Sequence, residues 1–260
     1  MRRLVVLMTA LVAATSIVVA SAGAAAGAAP SSTPYTCAGG DIPSGTYASI
    51  TVTGFCDVVP DAVINVVGNL NVAAGAFFDA QSAPSTITVG HNVTAAAGSI
   101  FGLGCQPFGY VAHAPHTCAI EPEGHSVITV NGNVTATDAD TVLLNGITVD
   151  GNVTLTGGGG DIPWALKNNT VGGNFTVSDV TPEWLGVLFS HIGGNLTLIN
   201  ITATDPEDDG NAAVSVVVNT VGRNLNCEGL GPRLTGGAFP GEFNIVRHKT
   251  TGQCVGLLSG

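Results

Sequence analysis

Val171-Gly172-Gly173-Asn174-Phe175-Thr176-Val177, with a near copy at Ile192-Gly193-Gly194-Asn195-Leu196-Thr197-Leu198, decides what kind of molecule this chain makes. Five further copies read Val67-Gly68-Asn69-Leu70-Asn71, Val89-Gly90-His91-Asn92-Val93-Thr94, Val130-Asn131-Gly132-Asn133-Val134-Thr135, Val149-Asp150-Gly151-Asn152-Val153-Thr154 and Val221-Gly222-Arg223-Asn224-Leu225-Asn226. Taking the repeat asparagine as a ruler, successive intervals are 23, 41, 19, 22, 21 and 29 residues. A period of about twenty residues marks stacked supersecondary units in place of one globular core. The interval of 41 reads as two periods, one of which has lost its phrase to a stretch near residues 101–124. The interval of 29 reads as one coil enlarged by Asp205-Pro206-Glu207-Asp208-Asp209-Gly210.

Around each phrase run short apolar alternations such as Phe175-Thr176-Val177-Ser178, bounded by Gly, Asn or Asp. Runs with period two are strands, and no helical stripe appears beyond the first thirty residues. Strands this short are unstable as isolated hairpins. Their regular return fits an all-β, right-handed parallel β-helix of about 20–22 residues per coil. A β-sandwich is the competing arrangement, and a Leu-rich horseshoe is excluded because its Leu spacing is missing. In the β-helix, Val and Ile stack inward while Gly and Asn take corners that need a left-handed or cramped backbone.

Residues 1–29 read as a secretory signal: Arg2 and Arg3, an apolar core from Leu4 to Ala20, then small residues suited to cleavage. Residues 30–260 read as one β-helix domain with disulfide-tied ends and the insert near 101–124. Removing Arg2 and Arg3 leaves five Lys and Arg against eighteen Asp and Glu, a net charge of −13. So acidic a surface repels phosphate backbones and anionic lipid, which excludes nucleic acid and, once the signal is removed, membrane as partners. Six cysteines in an exported chain argue for disulfides over metal ligation, with fifteen connectivities open. Closeness in sequence favours Cys37–Cys56, Cys105–Cys118 and Cys227–Cys254, which would staple the two ends and the interruption.

Asn69, Asn92, Asn133, Asn152, Asn174, Asn195 and Asn224 have two readings. As a structural ladder they stack at a corner and hydrogen-bond from coil to coil. As half of an outward Asn-x-Thr array they form a repetitive polar surface. The ladder is the stronger reading, because a Gly immediately before each Asn or one residue earlier marks a turn. His113 and His116, near Glu121 and Glu123, carry metal-binding residue types but no specific spacing, so solvated loop histidines are expected and no metal or cofactor. Asp205 to Gly210 lacks a calcium-loop pattern and reads as a solvated loop. Asp138 and Asp140 could serve as an acid and base pair, but such pairs are common on acidic surfaces and the solvated reading is preferred. Trp164 and Trp184 read as plugs over coil edges more readily than as sugar platforms.

The phrases at 171–177 and 192–198 resemble coil repeats of exported bacterial right-handed β-helix proteins. Gly45-Thr46-Tyr47 to Cys56 and Phe101 to Cys105 are similar to features of uncharacterised secreted members. The resemblance covers about residues 40–255, and the cadence also resembles, distantly, the bactofilin solenoids. It implies a fold and no single activity. Many right-handed β-helix proteins cleave polysaccharides, yet the basic cleft of pectate lyases and the Gly-His-Gly and Arg-Ile-Lys phrases of polygalacturonase-like hydrolases are missing. The expectation is a secreted or cell-surface, non-catalytic structural or interaction module, its partner a cell-envelope polymer or a second copy. A polysaccharide-binding or polysaccharide-cleaving protein is the first alternative, and a binder of a repetitive surface such as ice or a polymer the second.

Overall fold

The computed structural model describes residues 32–204, 214–236 and 243–257. Residues 1–29, read above as a secretory signal, and the acidic run from Asp205 to Gly210 lie outside the described residues. The rest is a parallel β-helix of three sheets. Sheet A has ten strands, from Pro34–Cys37 to Thr250–Gly252. Sheet B has nine, from Gly40–Ile42 to Leu234–Thr235, and sheet C has nine, from Gly45–Tyr47 to Ile245–Val246. The chain visits them in turn, so each strand pairs in parallel with strands one coil before and one coil after.

Alternation along the sheet A strands and most others follows from the pleat, which sends successive side chains to opposite faces, while sheet B strands such as Val214–Val217 are buried on both. Inside sheet A, Ile50, Leu70, Val93, Val134, Val153, Phe175, Leu196 and Leu225 form one buried rank. Inside sheet B, Ala80, Leu103, Leu144, Leu166, Val187 and Val216 form another. Each buried Val, Leu or Ile contributes about 1.5–3 kcal/mol relative to exposure. Because coil n touches only its neighbours, that stabilisation is a sum along the stack.

The interval of 41 is one coil, not two. Val93 pairs directly with both Leu70 and Val134, which leaves no strand between them in sheet A. The expected lost repeat does not exist, and the extra length sits at a single corner. Phe101 also belongs to a strand, Ile100–Leu103, so the irregular insert runs from residue 104 to residue 126. A register argument from the asparagine spacing alone could not distinguish a missing phrase from a long corner.

The left-handed positions also differ from expectation. The glycines of the repeat phrase do not have positive φ. They are required because a Cβ on Gly193 would lie 2.4 Å from the carbonyl oxygen of Gly172 one coil below. Left-handed backbone occurs instead along Asp138, Gly157, Asp179, Asn200 and Gly229, just after the sheet A strand in the first two and at a break in the pairing within the strand in the last three.

Three disulfides join Cys37–Cys56, Cys105–Cys118 and Cys227–Cys254, the pairing expected from spacing. The first ties sheet A to sheet B at the first coils. The second closes the insert. The third fastens the C-terminal 3-10 helix Gln253–Leu257 to the inner rank of sheet A. Such crosslinks contribute about 2–4 kcal/mol each and belong to an oxidising environment. Among the described residues no helix is long and apolar enough to cross a membrane.

Candidate functional site

The repeat asparagines form a continuous hydrogen-bonded ladder along the corner between sheets C and A. From Asn69 through Asn92, Asn133, Asn152, Asn174 and Asn195 to Asn224, each Oδ1 accepts the next asparagine's backbone N–H at 2.8–3.1 Å. Each next Nδ2 also donates to that oxygen at 2.9–3.5 Å. The amides are not inside the core: Asn174 and Asn224 are exposed and the others half-buried. They satisfy corner N–H groups that no sheet ladder reaches.

Two residues beyond each asparagine stands a second rank, on the outer face of sheet A. Thr36, Thr51, Asn71, Thr94, Thr135, Thr154, Thr176, Thr197, Asn226 and Thr251 occupy one register position through ten strands. Neighbours in this rank are about 4.8 Å apart. Thr94 Oγ1 donates to Asn71 Oδ1 and Thr251 Oγ1 to Asn226 Oδ1, both at 2.8 Å. Asn92, Thr94, Asn133, Thr135, Asn152 and Thr154 line a shallow groove of about 390 Å³ between the two ranks. Corner ladder and outward array are therefore not alternatives. The asparagine builds the corner, and the threonine beside it presents the face.

Sheet B carries a different constellation on its outer face, near the N-terminal end. Asp41, Asp57 and Asp79 lie in register on three successive strands. Phe55 and Phe77, two residues before the last two, stack at 4.1 Å with their planes 5° apart, and Phe55 is 59% exposed. Asp57 is held above the ordinary carboxylate range, first by partial burial and then by the charges of Asp79 and Asp41. Asp79 is committed locally: its carboxylate accepts the backbone N–H groups of Gln81 and Ser82 and the Ser82 hydroxyl, at 2.7, 2.9 and 2.5 Å.

Comparison with protein-family models, with curated proteins and with solved structures finds no match for this chain. The functional reading rests on the geometry alone.

Of the other sequence candidates, the insert histidines lie over sheet B, where the Asp79 charge reaches His116. Trp164 is fully buried, its Nε1 donating to the Asp140 carbonyl at 2.9 Å, so it offers no sugar platform. Trp184 is half-buried and lays its ring over Gly186. Asp138 and Asp140 flank the buried Ala139 at the exit from sheet A. His113 stacks on Phe189 at 5.0 Å. His116 exchanges two backbone hydrogen bonds with Gln106 and is pushed down to about 4, mainly by burial and then by the Lys167 charge. The insert is strapped to sheet B by Lys167 Nζ donating to the Pro115 carbonyl at 3.1 Å and Asn168 Nδ2 donating to those of His113 and Ala114 at 3.2 Å. Lys167 and Asn168, not the histidine rings, make these straps, and among the described residues no group of three His, Cys, Asp or Glu side chains gathers around a metal position.

Reading the sequence missed two features. Phe55-Cys56-Asp57 and Phe77-Phe78-Asp79 share the pattern Phe-x-Asp at an interval of 22 residues, which is a coil repeat carrying chemistry. A second, buried ladder was also legible: Asn169, Ser190 and Asn219 each stand five residues before a repeat asparagine.

Proposed function

We propose that the protein is an exported, non-catalytic β-solenoid acting as a cell-surface or extracellular interaction module, with the outer face of sheet A as its contact surface. The observation that carries this reading is the ten-position Thr/Asn rank held in register beside the asparagine ladder. Hydroxyls both donate and accept, so a rank of them meets a partner in either polarity. The ladder fixes the spacing, so little order has to be imposed on binding. A partner whose hydrogen-bonding groups repeat along its length is the one such a face recognises: a polymer of the envelope or matrix, or another ordered surface. Export is supported by the signal-like residues 1–29 and by three disulfides.

The test is co-sedimentation of the purified protein with insoluble cellulose, chitin and peptidoglycan, together with partition into growing ice. One of these solids is expected to retain the protein. Replacing Thr135, Thr154 and Thr176 with Lys should abolish retention while leaving the melting curve in place. A protein that stays in every supernatant and is monomeric by sedimentation velocity sinks the reading.

One observation favours a second reading, polysaccharide binding or cleavage on sheet B. Asp57 and Asp79 sit in register on adjacent strands, and the Asp79 charge raises the Asp57 pKa, so the two carboxyl groups are neighbours, as a glycosidase pair must be. Phe55 and Phe77 lie beside them. Against catalysis, the Asp79 carboxylate already accepts three local hydrogen bonds. Release of reducing ends from any of the same polymers, lost in Asp57→Asn, would establish this reading over the first.

A further inference from the structure

Cations are scarce in this chain, and they are not spread evenly. Arg223, Arg247 and Lys249 lie on two successive coils near the C-terminal end, with His248 in register with Arg223, whose carbonyl accepts the His248 N–H at 3.1 Å. Among the described residues none of the three cationic side chains engages a carboxylate. Beside them the outer side of sheet C holds a groove of about 360 Å³, a volume able to take one sugar ring with its substituents.

The groove follows from the register. Val171, Ile192, Val221 and Val246 are successive partners in sheet C, so the residues after them, Gly172, Gly193, Gly222 and Arg247, share one line. The three glycines cannot carry side chains, since a Cβ on Gly172 or Gly222 would stand 2.4 or 2.3 Å from a carbonyl oxygen one coil below. Arg247 is therefore the first side chain to rise from the line. Thr170, His191 and Thr220, also in register, form the wall. Asp150 stands at the opposite end of the same line, one coil before Gly172, which gives the channel a direction.

We propose that this groove binds an oxyanion carried on a polar body about one sugar ring in size, with the anion at Arg247. A guanidinium presents paired N–H groups that match carboxylate, sulfate or phosphate oxygens two at a time. The Thr170 and Thr220 hydroxyls and the His191 ring meet hydroxyls on the body. The net acidity of the molecule does not forbid this. The Asp41, Asp57 and Asp79 strands end six coils away, about 29 Å along the axis at 4.8 Å per strand. Salt screens charges beyond about 8–10 Å under physiological conditions. The site is separate from the Thr/Asn face of sheet A, and neither depends on the other.

Calorimetric and NMR titrations of the purified protein at low ionic strength test it, with sodium phosphate, sodium sulfate and sodium galacturonate as probes. At least one probe should saturate, with shifts confined to the amides around Thr170, His191, Thr220 and Arg247. Arg247→Gln should weaken binding about tenfold or more, and Arg247→Lys should restore part of it. Thr154→Lys on sheet A should leave it unchanged, even if it abolishes retention on solid polymers. A preference for galacturonate identifies a carboxylate-bearing sugar, and a preference for phosphate or sulfate an esterified one. No saturation by any of the three, equal affinity in Arg247→Gln, or shifts scattered over the whole surface overturns the proposal.

Discussion

The two halves of the solenoid turn the corner between sheets B and C in different ways. In the N-terminal half the corner position is Ile64, Ile87, Ile128 and Ile147, all at most 3% exposed. In the C-terminal half the same position is Asn169, Ser190, Asn219 and Asn244, equally buried. The strands explain the switch. Sheet C strands in the first half include Ala62–Val66, Ser85–Val89 and Val127–Val130, long enough for the corner residue to lie within the ladder. From Thr148–Val149 onward they shrink to two residues, and the corner backbone falls outside any ladder. Buried asparagines then supply the missing partners. Asn219 Oδ1 accepts the Ser190 N–H at 3.0 Å while its Nδ2 donates to the Val187 carbonyl at 2.8 Å. Asn169 does the same for Ile147 and Leu144, at 3.1 and 2.9 Å. What is buried at a corner is thus decided by where the backbone hydrogen bonds go, before hydrophobicity is considered.

Both halves share one core, and the largest effect is expected where they meet. Val153, 1% exposed, follows the last corner isoleucine and precedes the first corner asparagine in the chain. Val153→Asp places an unpaired carboxylate between the inner ranks and should cost more than about 4 kcal/mol. No cooperative melt should remain by circular dichroism. An unchanged melting curve would show that sheet A does not carry this register.

Exchanging the two corner solutions sharpens the comparison. Ile87→Asn sets an amide where the backbone is already paired in the ladder, and should destabilise by about 3–4 kcal/mol in urea titrations. Asn219→Leu keeps the volume but leaves the Ser190 N–H and the Val187 carbonyl without partners, at about 2–3 kcal/mol. If Asn219→Leu proves neutral, the buried amide is not meeting a backbone demand and the account of the C-terminal half fails.

The outer ladder offers the smaller counterpart. Asn152→Ala removes the acceptor for the Asn174 N–H, but this corner is partly exposed and water can replace the amide. The loss should be about 0.5–1 kcal/mol. A loss as large as that of Asn219→Leu would mean that the two ladders are equally dry.

How much of this was legible follows the same distinction. The outer ladder was readable because Gly-x-Asn recurs with its neighbours, and a repeat at a turn has few physical explanations. The Thr rank was readable as residues, but whether it faced outward beside the ladder depended on the pleat starting at the asparagine. The length of coil from Asn92 to Asn133 was misread because spacing counts residues and says nothing of where they leave the stack. The Phe55–Phe77 and Asp57–Asp79 pairs were missed because they repeat only twice. The buried ladder was missed because its position changes residue type halfway along the chain.

The insert is a third solution to the same corner. Before the last coil, the other coils pass from sheet B to sheet C in two to four residues, whereas here residues 104–126 intervene. Within it Gln106 and His116 pair through a two-bond backbone bridge, and burial of the His116 ring against the stack lowers its pKa to about 4, against 6.5 when free. Between those values the unfolded or undocked form takes up a proton that the docked form does not. Stability of the docked insert is therefore intact above about pH 6.5 and falls as pH drops toward 4. Hydrogen exchange at the amides of Gln106 and His116 should quicken over that range, while the inner ranks of sheet A stay protected. His116→Gln should flatten the dependence. Quickening that persists in this variant would assign the acid response to the carboxylates, and His116 would then have no part in docking the insert.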